Sequence, residues 1–132
     1  MRIVYAALGG FTLGVGSFFT FVVPEAAFTV LGGQGLSAFL GVLFPRFYAV
    51  MSVLGALLLA AAILLEGRRR LVVWLDALAL AMTLVGWIWL LPVVNRAEST
   101  PAFGALHGLS LGLDLLALLI WLGSVVAATL PA

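Results

Sequence analysis

The chain has 132 residues, of which 65% are apolar and only 8% charged, against about 25% charged in an ordinary soluble domain. A globule of that length has too little interior to hide so much apolar surface, which excludes water as its solvent and leaves the bilayer. Six arginines against five acids give a formal net charge of +1, with no cysteine and one histidine. That balance excludes a basic nucleic-acid face, disulfides, thiolate metal sites and multi-histidine zinc.

A bilayer core about 30 Å thick takes roughly 20 helical residues to cross, so apolar runs can be counted as spans. The first runs from Ile3 to Val23 and stops at Pro24 and Glu25. Met1 and Arg2 before it would suit a signal peptide, but the run is too long for that role and is expected to be a retained span. Glu25 follows Pro24 into the first turn of a short helix, where the dipole favours a negative charge. Residues 26–44 are broken by Gly32, Gly33, Gln34 and Gly35. They predict a turn and then a long helix beginning near Leu36 with Pro45 as an internal kink, a fifth span being the alternative.

The second span covers about residues 40–65, uninterrupted from Phe47 and ended by Glu66, Gly67 and the triplet Arg68 to Arg70. The third covers 71–94, and the polar loop from Asn95 to Pro101 separates it from the fourth, 103–130. The expected fold is therefore an all-α integral membrane protein, a single domain over 1–132 with four transmembrane helices in a compact bundle and an extra short or kinked segment between the first two. Four arginines (Arg2 and Arg68 to Arg70) lie on one side of this arrangement and two (Arg46 and Arg96) on the other. The positive-inside rule then puts both termini in the cytoplasm, in a bacterial cytoplasmic membrane. Trp74, Trp87 and Trp89 suit the interfaces of the third span.

Lipid supplies no hydrophobic drive for helix association, so close packing relies on small residues. Gly104, Gly108 and Gly112 recur every four residues on the last span, as do Ala6, Gly10 and Gly14 on the first. These ridges predict packing of the first helix on the last, or a homo-oligomer or larger membrane complex built on the same faces.

His107, Ser110 and Asp114 follow i, i+3, i+7 spacing along one stripe of the last span, and Arg46 and Tyr48 fall at a depth similar to that of His107. An ionisable group inside a span costs about 2.5–3.5 kcal/mol at the centre, so it is a candidate site by default. The five residues Arg46, Tyr48, His107, Ser110 and Asp114 are the candidate ligand-binding polar site, in the extracytoplasmic half. The plainer alternatives are an Asp114 that takes bonds from Thr12, Ser17 or Ser52 and fixes helix register, a snorkelling Arg46 and an interfacial Tyr48. Asp76 is expected to pair with the Arg68 to Arg70 triplet at the membrane edge. No catalytic residue, metal or cofactor is expected, although His107 leaves a haem axial ligand open.

Three pieces of the chain carry a resemblance: Phe18 to Pro24 with Phe28 following, Leu43-Phe44-Pro45-Arg46-Phe47-Tyr48, and Phe103-Gly104-Ala105-Leu106-His107-Gly108-Leu109-Ser110 through Leu115. In these the chain resembles the transmembrane protein 205-like family, small four-span proteins with a domain of unknown function. The resemblance implies a four-helix membrane fold and no particular activity. The family often has Asn where this chain has Asp114, which favours a hydrogen-bonding role there over an obligatory proton carrier. Three functions compete: permeation or transport of a small solute or ion through the polar site, a non-catalytic accessory or assembly subunit, and a haem- or quinone-binding redox protein.

Overall fold

The computed structural model describes residues 1–65 and 69–131. Helix α1 (Arg2–Ser17) widens into a π-helical segment (Phe18–Val22) and continues as α2 (Val23–Val30). After Leu31 and Gly32 comes α3 (Gly33–Ile63), then α4 (Arg70–Val85), a second π-helical segment (Gly86–Leu90), α5 (Leu91–Arg96) and α6 (Phe103–Thr129). Joined through the π segments, these make four helices long and apolar enough to cross a membrane. The chain is an all-helical integral membrane protein, and its many exposed Leu, Val, Phe and Trp side chains face lipid. The second span begins at Gly33, earlier than the sequence suggested. Gly33 has φ +54°, a left-handed conformation that glycine adopts without steric cost.

Both π segments have one cause. Each lies just before a proline near the start of the next helix, Pro24 and Pro92. A proline inside a helix has no N–H for the carbonyl four residues back and its ring crowds that carbonyl. One wider turn moves the carbonyl away while the helix runs on. The same element lengths recur 68 residues apart: α1 and α4 have 16 residues each, and the π segments that follow have five each. The chain is thus two successive helical hairpins of one design.

Around the bundle, α1 packs on α3 and α6, and α4 also packs on α3 and α6, giving the square α1–α3–α4–α6. Each helix turns inward a stripe spaced alternately three and four residues. On α1 it is Tyr5, Gly9, Thr12 and Gly16; on α3 Phe47, Met51, Leu54, Leu58 and Ala61; on α4 Val72, Asp76, Ala79 and Thr83. Such spacing is that of a left-handed bundle. It also explains why the four-residue repeats of glycine lie elsewhere. A step of four overshoots a helical turn, so Gly10 and Gly14 rotate to the outside, and a Cβ on either would meet nothing within 4 Å. First and last helices do pack, but through Gly9, where a Cβ would collide with Val125 of α6, and Gly16, where it would stand 2.5 Å from Leu118 of α6. Gly104, Gly108 and Gly112 are likewise open.

Burial is unequal along the bundle. At the end that holds Met1, Arg69 and Leu130, called here the terminal end, all four stripes are buried. Toward the opposite, distal end, no residue of α3 before Phe47 and none of α6 before Ala117 is buried. Arg69 closes the terminal end by donating to the carbonyls of Ala127, Ala128 and Leu130 at 2.6, 3.0 and 2.7 Å. Those carbonyls belong to the last turn of α6, which has no further helical partners for them. At the distal end Ser37 Oγ donates to Glu98 Oε1 at 2.9 Å, tying the start of α3 to the loop before α6.

Candidate functional site

Two Ser–Tyr–Asp clusters span the two diagonals of the square, one toward each end. In the distal cluster Tyr48 of α3 donates its hydroxyl to Asp114 of α6, 3.0 Å from both Oδ1 and Oδ2, with Ser110 Oγ 3.3 Å from the same hydroxyl. Ser110 and Asp114 stand one helical turn apart, so both reach the same tyrosine. The second π segment seats Tyr48: a Cβ on Gly86 would lie 3.2 Å from its Cε1 and 3.4 Å from its hydroxyl. Any other residue at Gly86 would press on the ring.

In the terminal cluster Tyr5 of α1 donates to Asp76 Oδ2 of α4 at 2.7 Å, and Ser124 Oγ of α6 lies 2.7 Å from the tyrosine oxygen. Ser124 Oγ is also 3.4 Å from the carbonyl of Val72. A tyrosine hydroxyl has one proton, so with Tyr5 donating to Asp76 the serine is the donor to Tyr5. All three residues are fully buried, and Asp76 Oδ1 has no partner among the described residues.

Distances and burial separate the roles of the two. The terminal bonds are as short as O–H···O bonds ordinarily are and hold three helices together, as a structural lock does. The distal bonds are 0.3 Å longer or more, the donor is shared between two carboxylate oxygens, and Asp114 is only half buried. Below it lies a cavity of about 10 Å³ lined by Tyr48, Thr83, Asp114 and Trp121 with Phe47, Met51, Ala117 and Leu118. Trp121, one of these lining residues, has a buried Nε1 with no acceptor among the described residues. The distal cluster is the candidate site.

The five residues proposed from sequence therefore divide. Tyr48, Ser110 and Asp114 meet. His107 is exposed and stacks on Phe103 of its own helix, ring centroids 5.5 Å apart. Arg46 is exposed and folds back to the carbonyl of Val42 at 3.4 Å. Of the motif positions, Pro24 and Pro45 shape helices and Phe44 packs at the edge of the core beside Phe47, whereas Phe28 is exposed. Asp114 is bonded by Tyr48 and not by Thr12, whose hydroxyl goes to the Leu8 carbonyl; Ser52 Oγ has no partner among the described residues. The membrane-edge ion pair expected for Asp76 is corrected: the residue is inside the bundle on Tyr5, and Arg69 serves the end of α6. Arg68 lies outside the described residues. Tyr5 and Ser124 were missed, since each looks ordinary in an apolar run. The available signal was depth: Tyr5, Asp76 and Ser124 all lie about one to two turns from the same membrane face. Among the described residues no three His, Asp or Glu side chains gather as metal ligands would.

No solved structure matches the chain. An uncharacterized protein of Aquifex aeolicus (strain VF5) is 34% identical over 123 residues, covering 91% of this chain and 90% of the relative. Residues 7–101 match the family described as Domain of unknown function (DUF4149). The family match spans Tyr48 and Asp76 and stops before Ser110 and Asp114, whereas the alignment with the Aquifex protein, over 91% of the chain, extends into α6 past both positions. On this match and this relative together, the chain belongs to the DUF4149 family.

Proposed function

We propose that the protein is a small permeation or transport protein of the cytoplasmic membrane, with both termini cytoplasmic, that passes protons at the Tyr48–Ser110–Asp114 cluster. The observation that carries this reading is a carboxyl group inside a span, held by a loose shared hydrogen bond and bordering a water-sized cavity. An intramembrane carboxyl that faces protein and a cavity is a proton-relay candidate, and a serine–tyrosine–carboxyl chain can pass a proton by exchanging donor and acceptor roles. The hairpin repeat supports the reading, because transporters are commonly built from two related halves with the site at their interface. Leu58 and Ala79, both fully buried, separate the distal cluster from the terminal one, so passage requires the helices to shift. The reading also keeps the likeness to the transmembrane protein 205-like family as the narrower affiliation.

The test is proton flux into proteoliposomes under an imposed potential, followed with an entrapped pH-sensitive dye. Flux above that of empty vesicles, lost in Asp114→Asn and reduced in Tyr48→Phe, supports the proposal. Flux equal to that of empty vesicles, or unaltered in both variants, refutes it.

A second reading, an accessory subunit of a larger membrane complex, is favoured by the open ridge Gly104, Gly108 and Gly112 on α6. Small residues on a lipid-facing helix allow close approach of another helix. A partner that co-purifies with the wild type and is lost in Gly108→Leu would support it.

A further inference from the structure

We infer that the cavity between Asp114, Thr83 and Trp121 is a binding site for a single water molecule that joins the distal cluster to the indole N–H. For its part in proton movement the inference rests on the permeation reading; for the presence of the water it does not.

Four observations carry it. The cavity has about 10 Å³ open to a water's centre, close to the room one water needs. Its wall is mainly apolar, with Phe47, Met51, Ala117 and Leu118, but polar groups enter from three helices: Tyr48 from α3, Thr83 from α4, and Asp114 and Trp121 from α6. Buried water typically makes about three hydrogen bonds, and a purely apolar void of this size stays dry. Trp121 is 1% exposed, and Nε1, its one polar atom, has no acceptor among the described residues. An unmade bond of that kind costs about 1–3 kcal/mol when the group is buried.

The inventory of donors and acceptors fits. The indole N–H can only donate, so the water must offer it an oxygen lone pair. The water's own protons then have two acceptors lining the cavity, the Asp114 carboxyl and the Thr83 hydroxyl. Thr83 Oγ1 already gives its proton to the Ala79 carbonyl at 3.0 Å and is left to accept. The indole is fixed from behind by Gly55, where a Cβ would stand 2.8 Å from its Cζ2. A buried indole donor and a carboxyl acceptor on residues that line one water-sized space make a site suited to a water, with a small shift of the indole bringing its N–H into reach. The water would be the first station inward from Asp114.

The experiment uses the full chain in lipid nanodiscs with its tryptophans labelled with ¹⁵N. The Trp121 indole signal is the one lost in Trp121→Phe. Magnetisation transfer from water to that indole proton is expected, and Thr83→Val should weaken the transfer while the signal persists. Absence of any transfer at a resolved Trp121 signal overturns the inference, as does transfer that Thr83→Val and Asp114→Asn both leave unchanged. Transfer without proton flux in proteoliposomes leaves the water in place and removes the permeation reading. Flux without transfer does the reverse.

Discussion

Tyr48 on α3 and Asp114 on α6 face each other across a diagonal of the bundle, the tyrosine hydroxyl 3.0 Å from both carboxylate oxygens. Diagonal helices do not pack backbone to backbone here, so the bond is a direct polar link between elements that otherwise meet through their neighbours. Tyr48→Phe keeps the ring and removes the link. Interhelical hydrogen bonds in membranes average about 0.6 and reach about 1.7 kcal/mol, and a long shared bond belongs toward the lower figure. Unfolding in detergent should therefore show a modest loss of stability, while proton flux falls by about tenfold, equivalent to about 1.4 kcal/mol in the barrier.

The terminal cluster should behave oppositely. Tyr5→Phe and Asp76→Asn, alone and together, form a double-mutant cycle across a 2.7 Å bond with full burial. The coupling is expected near the upper figure for membrane bonds, about 1.5 kcal/mol. Flux per folded molecule should stay close to wild type. A coupling near zero with lost flux would exchange the roles assigned to the two clusters.

Glycine substitutions separate tight contacts from open ones. Gly55→Ala puts a methyl 2.8 Å from Trp121 Cζ2, and overpacking of that kind costs about 1–3 kcal/mol. Gly86→Ala, with Tyr48 Cε1 at 3.2 Å, should displace Tyr48 and lower flux with a smaller effect on stability. Gly104→Ala and Gly112→Ala meet nothing within 4 Å and should leave the isolated protein's stability within about 0.5 kcal/mol of wild type. Thermal unfolding of the four variants side by side ranks them.

Arg69→Ala removes three donors from the last turn of α6. Cations at a helix C-terminus contribute about 0.3–1 kcal/mol, so global stability should change little. Hydrogen exchange of the amides near residues 126–130 should nevertheless accelerate, since the terminal turn is left to fray.

Span number and the short segment after Pro24 were legible because apolar run length and proline are local signals. Tyr48, Ser110 and Asp114 were legible as a group through helical spacing. Their neighbours were not: His107 shares the stripe but is left exposed, and stripe position alone does not report how much of the stripe other helices cover. The glycine ridges misled for a related reason. A repeat of four is conspicuous in sequence, while the buried stripe alternates three and four and uses Gly9, Gly16, Gly55 and Gly86, which follow no simple period. Tyr5 and Ser124 needed a long-range pairing, since Tyr5 and Ser124 are 119 positions apart. The π segments and the 68-residue repeat concern backbone geometry, which composition and hydropathy do not register.

The hairpin repeat has a consequence for how the molecule could be taken apart. In both clusters the tyrosine belongs to the first hairpin, Tyr5 and Tyr48, and the carboxyl and serine belong to the second, Asp76 with Ser124 and Asp114 with Ser110. One half carries both tyrosines and the other both carboxyls and both serines, so the halves resemble plug and socket despite their common shape. Cut in the segment between α3 and α4 and made as two polypeptides, they should find each other as a one-to-one pair, whereas either half alone has no complement in a second copy of itself.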